Sequence, residues 1–225
     1  MKYFTKEWYL KMVNMNIYLG LKINNNNLSY QEIYNQEKIK FNSIQEKIKR
    51  LILNMKKNIN LETQFELNCE NQINKYKNIL PKEVLSKIKD IRILGLGYVN
   101  KEEYNFIKEY FEDTRKYVDN IIKQYAQKEE KFENSLEFIK ESFHDYDITN
   151  IEKSKDKLII CLDNNQNARK IVFKNYNMIL DEDIDKSRWL YNEVYKIDDK
   201  YEIHILVSGN ELREMIIQCE DIIME

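Results

Sequence analysis

Along the first 144 residues apolar side chains recur every three or four positions; beyond Asp145 they alternate or gather in short β-branched runs bounded by turn residues. A period near 3.6 marks amphipathic helices and a period of 2 marks half-buried strands. The chain therefore reads as α+β. An N-terminal helical hairpin or bundle over 1–144, carrying one long heptad-patterned helix, precedes a five- to six-stranded antiparallel sheet over 145–225. Glycine (4) and proline (1) are so scarce that no flexible linker is expected, and the two domains should pack together across a short turn.

Phe4, Trp8, Met12, Met15 and Leu19 form one helical stripe, with Gly20 as its stop. Ser29 followed by Glu32 is a capping box. The helix it opens places Ile33, Phe41, Ile44, Ile48, Leu51 and Met55 on one face. Leu61, Phe65, Cys69, Ile73, Tyr76 and Leu80 mark a third helix, and Pro81 suits the first turn of a short fourth over 82–89. The apolar segment 91–99, IRILGLGYV, reads as a strand or a packed loop. Its GLG lacks the third glycine of a dinucleotide loop and the Lys-Ser/Thr ending of a P-loop, so it predicts close backbone packing rather than phosphate binding.

Asn100 and Glu103 form a second capping signal. Tyr104, Phe111, Val118, Tyr125, Phe132 and Ile139 then recur every seven residues, with Ile107, Ile121 or Ile122, Leu136 and Phe143 between them. Such a seam faces a partner helix. A continuous helix over 100–143 would be about 65 Å long, so a break near 129–131 is expected. The partner is expected inside the chain, the helix over 29–57, which favours a monomer over a coiled-coil dimer. In the last part, 157–163, 170–176, 189–197, 201–207 and 215–223 read as strands, joined by the turns 164–167, 181–185 and 198–200. A meander is the simplest topology, with one face on the helices and the other in water.

Composition narrows the class. Charged residues make up 33% and hydrophobic residues 43% of 225, which fits a globular chain. The opening MKYFTKEWYLKM has no apolar leader core, and no stretch approaches a membrane span, so the expectation is a cytoplasmic protein without membrane contact. The cysteines Cys69, Cys161 and Cys219 are scattered without a CxxC and read as free buried thiols. Net charge is only -2, but residues 145–225 hold 11 Lys/Arg and 18 Asp/Glu, net -7, which leaves the preceding residues at +5. In the N-terminal part the lysines are interleaved with glutamates and no nucleic-acid motif appears, so nucleic acid is not the expected partner.

Candidate chemistry is sparse. His144-Asp145 evokes metal phosphohydrolases, but no further ligands stand at suitable spacing. His204 alternates away from Ile203 and Ile205 and reads as a solvent-face or cross-strand hydrogen-bonding residue. Glu193, between Trp189, Tyr191 and Tyr195, is either an acid in an aromatic pocket or the one charged edge residue of an amphipathic strand. Asp181, Glu182, Asp183 and Asp185 cluster beside Trp189 and Tyr191.

The segments MKYFTKEWY, DIRILGLGYV, FHD at 143–145, WLYNEVY and YEIHILV resemble those of an uncharacterised family of low-GC Firmicute proteins, the domain of unknown function numbered 4085. The resemblance covers essentially the whole chain. It implies a bacterial cytosolic origin and no reaction, cofactor or site residue. The sequence thus points to a non-enzymatic interaction protein of regulatory or immunity-like type. Its basic protein partner would bind through Asp181, Asp183, Trp189, Tyr191 and Glu193. The competing reading is a hydrolase-like enzyme using His144, Asp145 and Glu193. No cofactor or metal is expected.

Overall fold

A computed structural model describes residues 1–51, 60–129, 138 and 141–225. Phe132, Leu136 and Ile139 of the heptad seam, Met55 and the expected break after Glu129 lie outside the described residues. The chain groups into two compact units, Val13–Lys116 and the pair of segments Met1–Met12 and Tyr117–Glu225. Among the described residues it is α+β, with helices N-terminal and an eight-stranded antiparallel sheet C-terminal.

Helix α1 runs over Lys6–Asn14, and a 3-10 turn over Ile17–Gly20 follows. The helix therefore stops short of Gly20. Leu19, placed by its spacing on the buried stripe, is 63% exposed. After β1 (Lys22–Ile23), the capping box opens α2 (Tyr30–Leu51): Ser29 N–H donates to Glu32 at 2.8 Å, and Glu32 N–H to the Ser29 hydroxyl at 3.4 Å. Ile33 is buried, but Ile44 and Ile48 are exposed. The α2 side chains Tyr34, Lys38 and Phe41 meet Glu62, Phe65 and Glu66 in the first turns of α3 (Leu61–Ile79).

The segment after α4 (Lys82–Leu85) is neither strand nor loop throughout. It forms a short helix, α5 (Ile91–Gly95), capped by the Asp90 carboxylate, and then β2 (Tyr98–Val99), which pairs in parallel with β1. The expected close packing is present: a β-carbon on Gly95 would land within the Ile73 side chain, and Gly97 turns with φ +82°.

Helix α6 (Lys101–Glu129) starts at the second predicted cap, where Asn100 N–H and Glu103 N–H each meet the other's side chain at 2.9 Å. Its seam residues Phe111, Val118 and Tyr125 are buried, and Tyr104 is half-buried. The partner of the first half is not α2. Ile107 and Phe111 pack with Tyr18, Tyr76, Leu80, Leu94 and Val99, drawn from the 3-10 turn, α3, α5 and β2.

The sheet comprises β3 (Asp147–Lys153), β4 (Lys157–Asp163), β5 (Ala168–Lys174), β6 (Asn177–Asp181), β7 (Arg188–Ile197), β8 (Lys200–Ser208), β9 (Leu212–Cys219) and β10 (Asp221–Met224). Its order is β10-β5-β4-β3-β7-β8-β9-β6. Two meanders, β3-β4-β5 and β7-β8-β9, meet at the single register pair Asp147–Arg188, while β6 and β10 return to the outer edges. Five or six strands become eight for two reasons. DITNIEK holds one buried position and NMILD none, so neither stands out as an apolar run, and the run at 215–223 is cut at Glu220 into β9 and β10. The β7–β8 hairpin has the expected tight turn, with Asp198 at φ +54°.

One face of the strands forms a single core. Ile148, Leu158, Ile160, Ile171 and Phe173 from one meander cluster with Trp189, Val194, Ile203, Ile205, Met215 and Ile217 from the other. The sheet therefore curls over its own apolar face. Bulges at Ile148/Asn150 and Trp189/Tyr191 add the bend this requires. The opposite face, expected to meet water, is covered over β7 and β8 by the segments Met1–Met12 and Tyr117–Glu129. The three cysteines are free; Cys219 is buried, and burial pushes its thiol up to about 12, whereas Cys69 and Cys161 are only partly covered.

Candidate functional site

The bulge at Leu190 sets which side chains of β7 face which way. Trp189, Asn192 and Val194 take the core side, where the Trp189 indole N–H donates to the Asn192 carbonyl at 3.2 Å. Tyr191, Glu193 and Tyr195 take the covered side. Glu193 is fully buried there, in the middle of the sheet rather than at its edge. Its carboxylate accepts the backbone N–H groups of Lys2, Tyr3 and Phe4 at 2.8, 2.8 and 2.6 Å, together with the Tyr195 hydroxyl. A carboxylate surrounded by donors in this way fastens the N-terminal strap across β7.

The neighbouring groups on α6 complete that fastening. Tyr125 accepts the Val194 N–H at 3.0 Å and hydrogen-bonds Glu129, one turn further on. Lys128 donates to the Val194 carbonyl at 2.6 Å and stands 3.3 Å from the Tyr195 ring centroid. Burial lowers the Lys128 ammonium to about 8 and holds the Tyr125 and Tyr195 hydroxyls well above the ordinary phenol range.

With the strap in place, a cavity of about 290 Å³ opens beside Tyr191. Aromatic rings form one wall: Tyr125 to Phe4 at 4.8 Å, Phe4 to Tyr191 at 5.1 Å, and Tyr191 to His144 at 5.1 Å between centroids. Glu129, Glu141 and Ser142 supply oxygen atoms, and Ile122 stands at the rim, 45% exposed. Burial raises the Glu129 carboxyl and the Tyr191 hydroxyl above their ordinary values. Glu141 pairs loosely with Arg169 at 3.5 Å. Aromatic side chains and carboxyl groups around one cavity suit a positively charged organic group.

The residues singled out in the sequence separate. Tyr191 lines the cavity, half-buried. Glu193 lies behind it, engaged with the strap. Trp189 is fully buried against Phe143 and Phe138 on the other face. Asp181 and Asp183 are exposed in the acidic turn, away from these aromatics, and the charges there have local partners: Lys153 on Asp181 at 2.6 Å, Lys6 on Glu182 at 3.2 Å, and Arg213 on the Asp183 carbonyl. His144 and Asp145 pair with each other at 3.0 Å, Asp145 turning with φ +68°. Glu193 points its oxygens to the strap instead. His204 is covered rather than on a solvent face. It hydrogen-bonds Glu202 at 2.8 Å and leans on the Tyr195 ring. Among the described residues no group of three or more His, Cys, Asp or Glu could hold a metal ion, and no helix is long and apolar enough to cross a membrane.

Phe4, Tyr125, Glu129 and Glu141 were not legible as site residues. One signal existed: Glu129 follows the seam residue Tyr125 by four positions, so a charge sits on the face that the heptad buries.

Fold and cavity define an α+β protein with a curled antiparallel sheet and an aromatic, acid-lined cleft beside its central strand. The chain belongs to the DUF4085 family, proteins of unknown function, which it matches over residues 28–218. The match takes in β7 and α6 but not the strap that supplies Phe4. No curated protein and no solved structure matches the chain.

Proposed function

We propose that this is a non-enzymatic, cytoplasmic interaction protein that acts as a monomer and engages a basic protein partner through the cleft beside Tyr191. The observation that carries the reading is the cleft itself, which Tyr125, Phe4 and Tyr191 line together with Glu129 and Glu141. Aromatic anchors supply affinity when desolvated, and charge selects the partner. The exposed acidic turn at Asp181 and Asp183 adds to the negative field of residues 145–225 and speeds encounter. It is not the docking surface, because Trp189 is buried away from it. Glu193 serves the site by holding the strap. A hydrolase using His144, Asp145 and Glu193 is disfavoured because the Glu193 carboxylate is occupied by backbone donors.

A photo-crosslinking residue at Ile122 tests this in host cells, with the same residue at Ile179 of β6, 50% exposed, as the comparison. The expected result is one adduct of high isoelectric point at position 122 that position 179 does not give. Adducts that are the same at both positions, or an acidic protein at 122, would overturn the reading.

A further inference from the structure

We infer that the group this cleft takes is an alkylammonium ion, the head of a lysine side chain or of a small amine; the inference rests on the interaction reading above and specifies its chemistry. The acceptors come from different elements: Glu129 from the last turn of α6, Glu141 and Ser142 from the segment that leads into β3. Oxygens carried on separate elements around one cavity suit a compact head with three rotatable donors. A planar guanidinium fork asks for two oxygens side by side. Tyr125, Phe4 and Tyr191 line the same cavity in edge-to-face and tilted contact, which offers aromatic carbon to the methylenes next to the head. The cavity, about 290 Å³, holds an ammonium with a butyl stem. Glu129 is the principal counter-charge. Its carboxyl is partly withdrawn from water and donates no hydrogen bond when ionised, so an arriving cation replaces the solvation that burial removed. Tyr125 hydrogen-bonds that carboxyl, and the Lys128 charge also acts on it.

The test is an NMR titration of the full chain with n-butylammonium, with N-acetyl-lysine methylamide and with guanidinium, following the ring resonances of Tyr125 and Tyr191. Saturable shifts with n-butylammonium, weaker by about tenfold in Glu129→Gln and weaker still for guanidinium, are the expected result. The glutamine keeps an acceptor for Tyr125, so the fold is retained, and the thermal transition verifies it. Comparable or tighter binding of the lysine amide assigns the source to a protein side chain; binding of the free amine alone assigns it to a small metabolite. Absence of saturable shifts with either amine, or equal affinity in Glu129→Gln, would overturn the inference. A surviving crosslink at Ile122 would then leave the interaction reading standing, while amine binding without that crosslink would remove the protein partner and keep the site.

Discussion

Glu193 is fully enclosed, and the donors turned toward it, three backbone N–H groups and one phenol, are what make its charge tolerable. Removing the carboxylate leaves those donors buried and unmet. Glu193→Ala should therefore lower the free energy of unfolding by roughly 3–5 kcal/mol, as for a broken buried ionic contact. Glu193→Gln keeps one acceptor oxygen and should cost about 1–3 kcal/mol. Urea unfolding of the two variants separates them, and equal losses would contradict the clamp. Lys128 makes a prediction in pH. Its folded value of about 8 lies below the ordinary 10.5, so between those values this group contributes a stability that rises with pH, against the fall that the Cys219 thiol, pushed up to about 12, contributes above its ordinary 9.0. Above the ordinary phenol range the trend should reverse, because Tyr125 and Tyr195 stay protonated in the fold. Denaturation midpoints of the unaltered chain and of Lys128→Met across this window isolate the Lys128 share as their difference, which should grow with pH. At this scale the sequence was partly legible. Alternation puts Tyr191, Glu193 and Tyr195 on one side, but the cover comes from residues 2–4, some 190 positions earlier, and no local period reports that.

Elements with strong local signals were readable. The capping pairs Ser29/Glu32 and Asn100/Glu103 open α2 and α6, and the β7–β8 hairpin turns where Asp198 sits, because each is decided by residues within a few positions of one another. Elements whose burial is decided by distant chain were not. DITNIEK becomes β3 only because β4 pairs with it along its length, and NMILD becomes β6 by pairing with β9. The heptad of α6 was read correctly as a buried seam and wrongly as a partner for α2. A repeat states that a face is covered, not by what. Phe111 stacks on Tyr18 at 5.8 Å and is 1% exposed. Phe111→Ala should cost about 3–5 kcal/mol, the range for a buried aromatic left as a cavity. A loss below about 1 kcal/mol in urea unfolding would contradict the described core.

For the whole molecule, the central claim is that the sheet-bearing unit offers an acid-lined aromatic cleft to a positive group. The uneven charge of the sequence pointed toward a cationic partner, but the acidic turn it drew attention to has its own local partners, and the cleft is assembled from the strap, α6, the segment before β3 and β7. Lys128 and Tyr125 act on the Glu129 carboxyl, and Glu141, His144 and Tyr191 line the same cavity. Because the Glu129 carboxyl is raised, it takes up its proton at a higher pH than an ordinary carboxylate, and it loses its charge, with the attraction for a cation, as pH falls through that raised value. Calorimetric titration of the full chain with n-butylammonium from about pH 7 to about pH 4 measures this most directly, since the ligand stays charged throughout. The account predicts an affinity that falls as pH falls, beginning above the ordinary glutamate value, with most of that dependence lost in Glu129→Gln. An affinity that does not change with pH, or a dependence that is the same in the variant, would contradict it.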